Sequence, residues 1–155
     1  MARDQRDRSP PDAPGVVELH TTFAATPAEV WRAFTTPALT EQWMGGFRMV
    51  SSWKVGEPFS VVGRLNNHDH AETGTLLAVE PPTLLRYEHW SRLWRVPDRP
   101  QHRAVMTVRI AVDGDVTRVS LRHELPAVTA IVPHSRFFWT VSLEMLRKLL
   151  AANHD

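Results

Sequence analysis

Apolar side chains recur along this chain at every second position over most of its length, and at every third and fourth position at its end. From Val16 to Ala24 (VVELHTTFA), Val17, Leu19, Thr21 and Phe23 fall on one face and Glu18, His20 and Thr22 on the other, which predicts a half-buried strand. Thr26-Pro27-Ala28-Glu29 then supplies a cap, a proline at the first helical position and a glutamate at the third, ahead of Val30, Trp31, Ala33 and Phe34. A short helix opens there. Pro37 stops it and opens a second one through Leu39, Trp43 and Met44, which Gly45-Gly46 ends. Strand-like segments follow over residues 47–53, 58–66, 71–80, 83–91, 103–112 and 116–125. Val55-Gly56-Glu57, Asn66-Asn67-His68-Asp69, Pro81-Pro82 and Asp113-Gly114-Asp115 separate them as turn chemistry. Six short strands in series predict an antiparallel meander.

The period changes at Pro133. With Trp139 as origin, Ser142, Leu143, Leu146, Leu149 and Leu150 follow at the spacing of one helical stripe, and Glu144, Arg147 and Lys148 fall outside it. The pattern predicts one amphipathic helix over residues 133–152, with Ser135 as a cap and Arg147 and Lys148 in the last turn, where cations complement the helix dipole. A single sheet that needs a cover and a single helix that needs a platform appear together. The expected fold is α+β: a curved antiparallel sheet gripping a long C-terminal helix, with two short helices after the first strand.

Composition narrows the partners. A chain of 155 residues fits one domain, expected over residues 16–152 and preceded by a charged, proline-rich, disordered tail over residues 1–15. With 18 basic and 17 acidic residues the formal charge is +1, which provides no broad footprint for nucleic acid or an anionic membrane. There is no cysteine, which excludes a disulfide framework, a thiolate nucleophile and a cysteine metal site. No apolar run reaches the roughly 18 residues of a membrane span and the start of the chain has no signal-peptide pattern, so a cytoplasmic, monomeric protein is expected. Only Lys54 and Lys148 are lysine against a majority of arginine, a bias that fits a GC-rich, actinomycete-like source.

The order strand, two short helices, six strands, long helix resembles the helix-grip fold of the START and Bet v 1-like superfamily. TPAEVWRAFTTPALTEQW looks like the opening of the branch named after the activator of the heat-shock-protein-90 ATPase. WKVGEPFSV, ETGTLLAVEPPTLLRYEHW, DGDVTRVSLRHEL and WTVSLEMLRKLL continue that branch's pattern in order. Glu57 departs from it where a second glycine is usual, and so does the long connection over residues 92–102. The resemblance implies a hydrophobic cavity between helix and sheet for apolar small molecules such as lipids or polyketides. It does not imply one activity, because the superfamily contains cyclases and dehydratases, carriers, chaperone activators and self-protection proteins of antibiotic producers.

Six tryptophans, Trp31, Trp43, Trp53, Trp90, Trp94 and Trp139, serve either as core or as walls for a flat ligand. Trp53 and Trp139 are the expected wall and Trp94, in the connection RLWRVPDRPQH, the expected lid. Tyr87 and His89 share a strand face with Leu85, and His123 shares one with Val119, Leu121 and Leu125. If those faces point inward, three polar tips enter the cavity, either to orient a ligand or to move protons on a carbonyl substrate. His68, Asp69, His70 and Glu72 have His-x-His metal spacing, but beside Asn66-Asn67 they read as a solvated hairpin tip, so no metal or cofactor is expected. Gly114 reads first as a turn glycine. If the cargo is a radical-forming enediyne, Gly114 is also the expected sacrificial cleavage site. The leading expectation is therefore sequestration of an apolar natural product for self-protection, with a polyketide cyclase or dehydratase, or a chaperone activator, as the alternatives.

Overall fold

The protein is described by a computed structural model over residues 15–128 and 131–153. Seven strands form one antiparallel sheet in the order β1-β7-β6-β5-β4-β3-β2. They are β1 (Gly15–Phe23), β2 (Arg48–Ser51), β3 (Pro58–Leu65), β4 (His68–Glu80), β5 (Leu84–Trp90), β6 (Ala104–Asp113) and β7 (Val116–Leu125). Strands β2 to β7 run as the predicted meander, and β1 pairs with β7, Val17 opposite His123 and Leu19 opposite Leu121. The alternation within β1 holds: Val17 and Phe23 are buried while Glu18, His20 and Thr22 are exposed. Expected tail residues 1–14 lie outside the described residues, and Gly15 already belongs to β1.

Helices α1 (Pro27–Thr35) and α2 (Pro37–Trp43) follow β1 as their prolines predict. The box at the start of α1 closes reciprocally, Glu29 N–H donating to Thr26 Oγ1 at 3.1 Å and Thr26 N–H to Glu29 Oε1 at 3.0 Å. Helix α3 (Ile131–Ala152) lies across the inner face of the sheet, parallel to β1. Gly15 touches Val132 at its start, and Arg147 bonds the Thr22 carbonyl and the Thr21 hydroxyl near its end. Trp139, Ser142, Leu143, Leu146 and Leu150 are buried as the stripe requires, together with Ile131 and Ser135, while Leu149 is half-buried.

Two expectations for α3 are corrected. It begins two residues before Pro133, so Ser135 lies inside the helix rather than capping it, and its buried hydroxyl faces β7. The helix ends at Ala152 as expected, and Arg147 and Lys148 lie before its last turn rather than in it. Arg147 instead ties the helix to β1 and lies 5.1 Å above the Phe23 ring.

The core fills the space between sheet and helices. Phe34, Trp43, Phe59, Leu76, Leu85, Tyr87, Met106, Val108, Leu121, Trp139 and Leu146 form one apolar cluster, and burial of each aliphatic or aromatic side chain contributes about 1.5–3 kcal/mol. A smaller cluster of Val17, Ala104, Leu125 and Ile131 closes the end where α3 begins, with Trp94 packed on it.

Candidate functional site

Strand pairing carries the inward alternation from strand to strand and brings a row of polar side chains together. Gly63 of β3 faces His70 of β4, Gly74 of β4 faces His89 of β5, His89 faces Ala104 of β6, and Met106 of β6 faces His123 of β7. The small residues in this row leave room that imidazoles occupy. At Gly74 the approach is so close that a Cβ would stand 1.8 Å from the Glu88 carbonyl oxygen, so β4 and β5 meet here only because residue 74 is glycine.

Within that row runs one continuous hydrogen-bonded chain. Glu72 Oε1 lies 2.8 Å from His89 Nδ1, His89 Nε2 lies 2.9 Å from His123 Nε2, and His123 Nδ1 lies 2.7 Å from Ser135 Oγ on α3. A weaker contact of 3.4 Å joins His70 Nε2 to Glu72 Oε2. The two imidazoles are stacked, their planes 11° apart. His89, His123 and Ser135 are 7%, 5% and 5% exposed, so water supplies little of their bonding and each depends on its neighbour.

Burial alone would push the Glu72 carboxyl up, but the hydrogen bond from His89 and the charge that ring carries when protonated, and then the same from His70, outweigh it and hold the group below its usual value, as a carboxylate. Burial, and then the charge His89 carries when protonated, hold His123 well below the usual imidazole value and so neutral. Burial, with the Glu72 charge adding to it, pushes the Tyr87 phenol far upward, and its hydroxyl points at Met49 Sδ, 3.9 Å away.

Of the residues singled out in the sequence, the structure joins His89 and His123 directly. Trp94 stands edge-on to His89 with 5.4 Å between ring centres. It sits in a connection that is tied down: Ser91 caps its first turn, Trp90 Nε1 donates to the Val96 carbonyl at 3.0 Å, and Arg103 bridges Asp98 and Glu88. Tyr87 borders the chain and stacks on Phe59 at 4.0 Å. Trp139 packs between Trp43 and Phe138, and Trp53 lies against Phe59, so these wall candidates stand on the inner face without touching the chain. Trp43 is core, its indole donating to the Ala33 carbonyl. Gly114 has φ +63° in the exposed turn between β6 and β7, at the opposite end of that hairpin from His123, a strand length of about 30 Å away.

Two members of the chain were missed. Glu72 and His70 are not a solvated tip: β4 begins at His68 directly after Asn66-Asn67, both at positive φ, and His70 is 6% exposed. The inward position of Glu72 was concealed by a bulge between Leu76 and Ala78, which puts Leu76 and Val79, three apart, on the same face. Extrapolating the alternation backward from Val79 places Glu72 outside. Ser135 carried a readable signal, since it lies four residues before Trp139 on the stripe already traced.

Beside the buried chain, an open cleft of about 820 Å³ runs along β2, β3 and β4, with Arg48, Arg64 and Arg92 at its rim and His70 reaching its wall. Among the described residues no group of three or more His, Asp or Glu is placed to hold a metal ion. No helix among them is long and apolar enough to cross a membrane.

A curved antiparallel sheet closed by a long helix, with polar groups embedded in an aromatic inner face, defines a helix-grip protein. The chain belongs to the family described as Activator of Hsp90 ATPase homolog 1-like protein, whose profile matches residues 24–151. Its structure is similar to the solution structure of ChR145 from Cytophaga hutchinsonii, at 26% identity and a TM-score of 0.77, covering 92% of this chain and 97% of that one. The fold is also that of CalU16 from Micromonospora echinospora, at 19% identity and a TM-score of 0.69 over 94% of this chain and 82% of the other. DynU16, from the dynemicin biosynthetic locus, shares it at 16% identity and a TM-score of 0.72 over 89% of this chain and 48% of that longer one. No curated protein sequence matches this chain.

Proposed function

We propose that the protein binds an apolar, ring-containing small molecule between the sheet and α3 and holds the polar end of that molecule against the chain formed by Glu72, His89, His123 and Ser135. The supporting observation is the chain itself: four linked polar side chains set into an aromatic inner face, where an all-apolar core would pack without them. Tyr87, Trp94 and Trp139 supply the flat walls, and the ligand enters by displacing contacts such as those between Phe138 and Trp139. Sequestration of a natural product is the use that the family and the likeness to a protein of the dynemicin locus support.

Titration with an apolar aromatic probe, followed by tryptophan emission, tests this reading. Saturable quenching that weakens when Trp94 or Trp139 is replaced by leucine is the expected result. Quenching that rises linearly without saturation overturns it. Native mass spectrometry of protein taken directly from its host then shows the mass of the molecule held.

A further inference from the structure

The polar chain has a direction. An ionised Glu72 only accepts, so His89 donates to it from Nδ1. A neutral His89 then has a bare Nε2, and across the 2.9 Å gap His123 must donate from its own Nε2. That leaves His123 Nδ1 as an acceptor, and the Ser135 hydroxyl, 2.7 Å away, donates to it. With both imidazoles neutral, each proton in the chain has one place. A serine inside a helix ordinarily returns its hydroxyl to a carbonyl one turn back, whereas Ser135 directs its proton across to β7.

We infer that Ser135 is a base-activated nucleophile that captures acyl groups from apolar esters and lactones bound between the sheet and α3. The order hydroxyl, imidazole, imidazole, carboxylate is that of a nucleophile, its base and an orienting acid, lengthened by one ring, with all three links inside the distance such groups need. As Ser135 Oγ bonds to the substrate carbonyl carbon, its proton passes to His123 Nδ1. His123 releases its Nε2 proton to His89 Nε2, and the positive charge comes to rest on His89 beside the Glu72 carboxylate. When the tetrahedral intermediate collapses the ester C–O bond breaks, and the proton returns along the chain to the leaving alkoxide. One C–O bond forms and one breaks, and no oxidant, reductant or metal takes part. Water activated by the same base later frees the acid and restores Ser135. Until then the ligand is held covalently, which deepens the binding reading and rests on it.

The test uses the full chain and an alkyl fluorophosphonate probe, with peptide mapping by mass spectrometry. One adduct on Ser135 is expected, formed more slowly once acid protonates the base His123, whose proton affinity is held well below the usual imidazole value. His123→Gln, which keeps a hydrogen-bonding side chain but no base, slows it by roughly 100-fold or more, and Glu72→Gln by roughly 10-fold. Ser135→Ala gives no adduct. Saturable quenching of the unaltered protein with no adduct, adducts scattered over several hydroxyls, or a rate unchanged in His123→Gln each overturns the nucleophile and leaves simple binding standing. An adduct on Ser135 without saturable quenching overturns the binding reading and keeps the nucleophile. Should His123→Gln fail to fold by near-ultraviolet circular dichroism, Glu72→Gln and the pH profile decide.

Discussion

His123 and Glu72 fix the direction in which acid acts on this protein. The folded chain refuses a proton at His123 that an unfolded imidazole accepts below its usual value of 6.5. Stability therefore falls as pH drops through that value. Glu72 is held below its usual 4.5, so the unfolded chain again takes up a proton first, and a second loss begins under that value. Both contributions are complete above 6.5 and neither adds a slope there. The urea midpoint is expected to decline from about pH 6.5 downward and to steepen below about pH 4.5, and His123→Gln should flatten the first part. A midpoint that stays level between about pH 7 and pH 5 contradicts this account.

At the same scale, sequence and structure part company over parity and polarity. The inward faces of β5 and β7 were readable because Leu85, Tyr87 and His89, and Val119, Leu121 and His123, alternate without interruption. Glu72 was read into a solvated hairpin tip because Asn66-Asn67 stands near it, and strand parity offers no rescue, since one extra residue between Leu76 and Ala78 reverses which positions of β4 point inward and that reversal is set by pairing with β5. Ser135 was misplaced for a different reason. Serine is favoured at helix starts, and local preference suggested a cap where a longer helix instead places the side chain opposite a buried histidine.

Among the elements, the close pairing of β4 with β5 decides whether Glu72 can reach His89. Adding a methyl group at residue 74 sets it 1.8 Å from the Glu88 carbonyl oxygen and 2.9 Å from the His89 Cα, both backbone atoms that cannot turn aside. Gly74→Ala should cost about 3 kcal/mol by urea unfolding and should loosen the chain that begins at Glu72. A loss below about 1 kcal/mol shows that the two strands can separate without harm. Helix α3, by contrast, was legible nearly whole, because 3.6-residue periodicity over some twenty residues leaves one face that must be covered. What periodicity could not supply was its first two residues, Ile131 and Val132, which precede the proline that looked like a beginning.

For the molecule as a whole, the strand order sets where the fold is firm. Strands β5, β6 and β7 have partners on both sides, while β2 is a four-residue edge paired only with β3. Amide hydrogen exchange is expected to be slowest in β6 and β7, close to the global unfolding limit, and fastest in β2. Equal protection in β2 and β6 runs against this order. The meander and the closing helix could be read from the chain because each strand pairs with the next and the turns carry their own chemistry. The non-sequential pairing of β1 on β7 was not read from the chain, since nothing in VVELHTTFA names its partner.

That pairing also has a consequence in time. His20 meets Ser120 across 100 residues of chain, and Arg147 reaches Thr22 across 125. During synthesis at roughly 5–20 residues per second, β1 leaves the ribosome first and waits several seconds for β7 to appear beside it. Strands β2 to β7 meet their neighbours as they emerge, but their apolar face stays bare until α3, which follows all of them in the chain, is released. Until then the sheet stands open with a finished hydrogen-bond ladder and an uncovered core, the state in which a holding chaperone has the most surface to grip.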